Sequence, residues 1–267
     1  MPKITQNLFN RKKLTAILDN IQLEAFIDYA NLSDIKQITD NWCSLLKQKI
    51  LEGTNEISLQ DLFLSDIFGK ILDYKSINES QNEPDGIDGN WHLYREKKTI
   101  TDSTRSDGAL GFFSRDNEDV RVIIELKGAK TNLDAKQKRQ GANYTVIEQA
   151  FLYSGKFSKK CKWIIVSNYK EIRLYNRSAS MNEYEVFFIE KLKEELELKK
   201  FVYLLSRKNL IEKEQESIID RLYSSNEAEQ EKISKEFYQK YKNLRLHVFE
   251  HLKKKNKDEK NDEKNKE

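Results

Sequence analysis

The chain has 267 residues, 38% hydrophobic and 34% charged, with a formal net charge of +3. No apolar run approaches the roughly 20 residues of a membrane-spanning helix, and "MPKITQNLFNRKKL" lacks a signal-peptide core. Cys43 and Cys161 fit neither a disulfide framework nor a metal-finger spacing, so the expected setting is cytoplasmic and reducing, with no membrane partner. The mildly basic total permits a nucleic-acid partner without demanding one. Of the three histidines, His247 and His251 stand four apart. They read as polar residues of a solvated helix rather than as a metal pair.

Three helices are expected first. "LTAILDNIQLEAFIDYA" and "SDIKQITDNWCSLLKQKILEG" carry apolar residues at three- and four-residue spacing, with Ser33 as the expected cap of the second and Gly53 as its stop. "SLQDLFLSDIFGKILDY" is the third, started by Ser58 with Asp61 three residues on. "NESQNEPDGIDGN" is a loop. From Trp91 the period becomes two. "WHLYREKKT", "SDGALGFF" and "DVRVIIELKGA" read as strands, the last two joined by a hairpin at "SRDNED". The polar, basic "KTNLDAKQKRQGAN" precedes a helix, "TVIEQAFLYSGKF", whose Thr145 and Glu148 have capping-box spacing. "CKWIIVSN", "EIRLYN" and "YEVFFI" are further strands, so the middle is a mixed α/β layer. Charged amphipathic helices follow Glu190, and the tail "KKKNKDEKNDEKNKE" has no apolar residue and is expected to lack regular structure. The expected parts are an N-terminal helical region over 1–54, an α/β domain over 55–190, a helical connector over 191–252 and a charged tail over 253–267.

The chemistry centres on "VRVIIELKGAK". Alternate strand residues share a face, so Glu125 and Lys127 point the same way, about 6.5–7 Å apart at Cα, while Leu126 points the other way. A carboxylate beside an ammonium at the C-terminal end of a strand suits a divalent-metal hydrolase. It also suits a plain surface ion pair. Mg²⁺ commonly takes one or two carboxylates. Asp107, expected just before the neighbouring strand, is the candidate second acid. On the next helix, Gln149 and Tyr153 are four apart and share a face.

The order D, E-x-K, Q-x-x-x-Y resembles the PD-(D/E)xK nuclease superfamily, in the subgroup with a Q-x-x-x-Y helix. More specifically, "SDGALGFF", "VIIELKGAKTNLDAKQ", "TVIEQAFLYSGKFSKKCKWIIVSNYKEIRLY" and "FVYLLS" resemble the N-terminal nuclease region of type IIG restriction-modification enzymes. The likeness covers about residues 1–250 in element order and is most specific over 91–205. It implies a restriction-endonuclease-like mixed central sheet flanked by helices and a metal-dependent deoxyribonuclease. Asp107 and Glu125 would bind Mg²⁺, with Mn²⁺ as a substitute. Lys127 would be the catalytic lysine, and Gln149 and Tyr153 would support the site. The resemblance also places an acid on the preceding helix. Glu56 is the candidate, with Asp61 and Asp66 as alternatives, and helix capping explains all three equally. The sequence departs from the family at Ser106 (proline there), Asp73 (glycine) and Val146 (proline), none of which removes a catalytic group. It has neither an N-P-P-Y-like methyltransferase motif nor a glycine-rich motif for S-adenosylmethionine. The expected partner is double-stranded DNA, contacted by Lys130, Lys136, Lys138 and Arg139. A separate methyltransferase or specificity subunit, and a second copy of the chain, are further expected partners. The competing reading is a non-catalytic DNA-binding or interaction subunit.

Overall fold

Local chemistry sets the N-terminal helices. The protein's structure, a computed structural model, describes residues 7–27, 30–54, 56–80, 91–102, 104–137 and 143–264. Helix α1 (Arg11–Asp19) is capped by Asn10, whose side chain accepts from the backbone N–H groups of Lys12 and Lys13. A short α2 (Leu23–Phe26) leads to α3 (Leu32–Lys47). Its cap is Asn31 rather than the expected Ser33, because the Asn31 side-chain Oδ1 accepts from Ser33 N–H at 2.9 Å. Gly53 caps the 3-10 turn Ile50–Glu52, not α3 itself. Helix α4 begins at Glu56, so Ser58 lies inside its first turn rather than before it; α4 (Glu56–Phe63) runs on as a π-helix over Leu64–Ile71. A left-handed residue, Asp73 at φ 65°, ends that helix, with Tyr74 N–H donating to Phe68 O at 2.9 Å. Here Arg207 grips both the Asp73 carbonyl and its carboxylate, which offsets the strain of a side chain in that conformation. A short α5 (Ile77–Ser80) is the last helix before the sheet.

Six strands form one sheet in chain order: β1 (Trp91–Lys98), β2 (Arg105–Phe113), β3 (Glu118–Leu126), β4 (Trp163–Ser167), β5 (Glu171–Asn176) and β6 (Glu185–Phe188). All neighbours are antiparallel except β3 and β4, which are parallel. A parallel pair needs a crossover, and α6 (Val146–Ser154) supplies it. Thr145 and Glu148 form the expected capping box at its start. Val146, Ile147 and Ala150 of α6 pack on Ala109, Ile123, Ile164, Val166 and Tyr175 of the sheet. On the other face Leu64 approaches Gly108 and Ile124, within a fully buried set that includes Phe63, Ile67 and Phe68. The Phe63 ring stands edge-on to Trp42 of α3 at 5.3 Å and to Tyr169 of the β4–β5 turn at 5.1 Å.

The β2–β3 hairpin closes at Ser114–Asn117 as expected, but its register shifts between the Leu110–Val122 and Gly111–Val120 pairs. That bulge at Arg121 brings Val120 onto the α6 face. It also requires Gly111: a Cβ there would lie 2.1 Å from Asp119 O.

After β6 come α7 (Glu195–Leu205), α8 (Arg207–Leu210) and α9 (Ile218–Lys264). Residues 1–221 form one compact unit and 222–267 another. The breaks expected at 54 and 190 both fall inside the first unit, in which Phe201, Val202, Leu204 and Leu205 of α7 are buried. In the second unit, α9 continues through 253–264, part of the tail expected to lack regular structure. Its Lys and Glu residues are good helix formers, which apolar periodicity does not register. Phe237, Tyr241, Leu244 and Phe249 of α9 are exposed. Among the described residues no helix is long and apolar enough to cross a membrane.

Candidate active site

Register brings the two acids together. Gly108 pairs with Ile124, so Asp107, one residue further along antiparallel β2, falls opposite Glu125 on β3. Asp107 is thus within β2, not just before it. Its Oδ2 accepts from Leu126 N–H at 2.7 Å, and its backbone carbonyl accepts from Gln60 Nε2 of α4 at 2.8 Å.

Lys127 follows β3, its backbone N–H donating to Ser167 O of β4 at 2.9 Å. Its ammonium lies among three oxygens: Glu125 Oε1 at 2.6 Å, Leu126 O at 3.0 Å and Asp107 Oδ2 at 3.9 Å. Glu125 is 1% exposed. Such burial of a carboxylate is costly without strong partners, and Gln149 of α6 adds a second donor to Oε1 at 2.6 Å. The same Gln149 Nε2 donates to the Tyr153 hydroxyl at 3.1 Å. Burial first, and the nearby Glu125 carboxylate second, push the Tyr153 phenol above its ordinary value. It is therefore neutral at pH 7, and its O–H remains a donor.

The resemblance-derived residues Asp107, Glu125, Lys127, Gln149 and Tyr153 are thus one connected cluster. Two further members were not legible in the sequence. Gln60 lies one turn beyond Glu56 on α4, and Gln137 donates from Nε2 to Gln149 Oε1 at 2.6 Å. Glu56 opens α4, and its side chain lies outside what the structure describes. Asp61 and Asp66 are engaged elsewhere, the first with Arg95 at 2.9 Å and the second with Trp42 Nε1 and Lys70.

Of the four expected phosphate contacts, Lys130 and Lys136 are exposed, Lys136 donating to Asn143 Oδ1 at 3.0 Å. Lys138 and Arg139 lie outside the described residues. Asp134, which interrupts the basic loop in sequence, is held by both guanidinium nitrogens of Arg173 at 3.1 and 2.9 Å. It anchors the loop to β5.

Among the described residues no group of three or more His, Cys, Asp or Glu side chains gathers as a metal cage. The donors at Lys127 are two carboxylates and one carbonyl, all hard oxygens, and they already surround a cation. That set fits Mg²⁺, which takes one or two carboxylates and completes its shell with water and substrate oxygens. Family models, curated proteins and solved structures contain no match to this chain.

Proposed function

We propose that the chain is a Mg²⁺-dependent DNA endonuclease with a restriction-endonuclease-like fold, similar to the nuclease part of type IIG restriction-modification enzymes. The observation that carries this reading is the gathering of Asp107, Glu125 and Leu126 oxygens around the Lys127 ammonium, with Gln149 and Tyr153 behind them. Asp107, Glu125 and the Leu126 carbonyl would hold Mg²⁺, which supplies charge stabilisation at the phosphate and a more acidic water. Lys127 orients the attacking water and donates to a phosphate oxygen. Gln149 fixes the Glu125 carboxylate, and the Tyr153 hydroxyl offers a donor at the edge of the site. Exposed Lys130 and Lys136 contact the DNA backbone without reading sequence.

The test is incubation of the purified chain with supercoiled plasmid, single-stranded circular DNA and RNA, in Mg²⁺, Mn²⁺, Ca²⁺ or EDTA. The reading expects nicking of the plasmid with Mg²⁺ and Mn²⁺ and none in EDTA. Equal cleavage in EDTA would overturn it.

A second reading draws on the exposed Phe237, Tyr241, Leu244 and Phe249 of α9. In it the chain is an interaction subunit for a separate methyltransferase or specificity protein. It expects no cleavage by the lone chain under any metal.

A further inference from the structure

Gln149 stands at the centre of the site, and its side chain has two distinguishable ends. The amide NH₂ must face Glu125 Oε1, 2.6 Å away, because a carboxylate accepts and cannot donate. An amide rotated by half a turn would set its oxygen against that carboxylate. Two neighbours within reach bear on the choice. The Tyr153 hydroxyl, at 3.1 Å, can donate or accept and so tolerates either orientation. Gln137 carries both kinds of end as well; with Glu125 fixing the Gln149 NH₂ inward, the Gln149 Oε1 faces outward and Gln137 Nε2 donates to it at 2.6 Å.

Gln137 is itself held. Its backbone N–H donates to Tyr144 O at 3.0 Å, and the adjoining Lys136 forms a β-bridge with Thr145, the α6 cap. Three residues before it, Asp134 is clamped by Arg173. The loop therefore arrives at Gln149 anchored on both β5 and the start of α6, with a donor aimed at the amide oxygen. The chain of contacts runs Gln137 to Gln149 to Glu125 to Lys127.

We infer that Gln137 is a positioning residue of this site, which holds the Gln149 amide in the orientation that Glu125 sets and so keeps its NH₂ on Glu125. The inference rests on the nuclease reading for its purpose, but the hydrogen-bond polarity can be tested without cleavage. Gln137 touches no reacting atom. It acts through Gln149.

The discriminating variants keep the shape and change only the donor. Gln137→Met removes the donor. Gln137→Glu replaces it by an acceptor of the same size, which draws the Gln149 NH₂ away from Glu125. In Gln-selective ¹⁵N spectra, the Gln149 side-chain NH₂ pair is assigned by its disappearance in Gln149→Leu. In the wild type it should exchange slowly with solvent. Gln137→Met should speed that exchange, and Gln137→Glu should shift the pair. Mn²⁺ affinity by calorimetry should weaken about three- to tenfold in Gln137→Met, the equivalent of one ordinary hydrogen bond, and more in Gln137→Glu. A space-filling role would leave Gln137→Glu like the wild type.

Unchanged Gln149 signals in both variants would overturn the inference, whatever the plasmid assay shows. Altered signals with a wild type that neither binds Mn²⁺ nor cleaves would sustain the positioning role and sink the nuclease reading instead.

Discussion

Replacing Lys127 by methionine keeps the length of the side chain and deletes the ammonium that Glu125 Oε1 faces at 2.6 Å. Both groups are shielded, with side-chain exposures of 14% for Lys127 and 2% for Glu125. Removing one partner of a buried pair commonly costs about 3–5 kcal/mol, because the remaining charge stays buried. With a urea slope of about 3 kcal/mol/M, the unfolding midpoint should fall by roughly 1–1.7 M. A divalent ion can then serve the same oxygens. At a hundredfold excess over its dissociation constant it should return about 2.7 kcal/mol. The assay is urea unfolding followed by circular dichroism, with and without Mg²⁺ or Mn²⁺. The variant should be less stable than the wild type in EDTA and gain more from the metal than the wild type does, since no ammonium competes for the oxygens. A midpoint unchanged in EDTA, or a metal response no larger than the wild type's, would refute the reasoning that the ammonium occupies a cation site.

Three further outcomes are expected. Gly111→Ala forces a methyl group to 2.1 Å from Asp119 O across the bulge, where only backbone can yield; the cost should be about 3 kcal/mol or more, seen as a melting temperature lower by roughly 6–12 °C. Burial, and then the charges of Arg207 and Lys75, lower the His92 pKa from 6.5 to about 3. Below pH 6.5 the unfolded chain takes a proton that the folded chain refuses, so His92's contribution is present above pH 6.5 and is lost as pH falls towards 3. The loss should be about 1.4 kcal/mol per pH unit, and His92→Phe should flatten the wild-type slope of stability between pH 6.5 and 5. Burial pushes the Cys161 thiol up to about 12 and also raises that of Cys43. Neither thiol should react with Ellman's reagent at pH 8 in the folded protein, and both should react in denaturant.

The core of the site was legible because it rests on short-range periodicity. Strand alternation put Glu125 and Lys127 on one face, hairpin spacing put Asp107 nearby, and helical spacing paired Gln149 with Tyr153. The capping box at Thr145 was legible for the same reason. What stayed hidden depends on contacts distant in sequence. Gln60 reaches a carbonyl 47 residues away, and Arg173 reaches Asp134 from 39 residues away. Neither pairing leaves a periodic trace. The bulge at Arg121 was invisible because "DVRVIIELKGA" alternates plausibly without it. Ser33 and Ser58 were mistaken for caps because the true boundaries lie at Asn31, a better-placed acceptor, and at Glu56. The left-handed backbone at Asp73 was hidden too, because an aspartate in sequence does not announce a positive φ.

The most direct test of the central claim compares plasmid nicking by the wild type with Asp107→Asn, Glu125→Gln and Lys127→Met in Mg²⁺ and Mn²⁺, each variant first shown to be folded by circular dichroism. The account predicts metal-dependent nicking by the wild type and at least a hundredfold loss in every variant, the order of magnitude of removing one electrostatic group from an active site. Nicking that survives all three substitutions would contradict it.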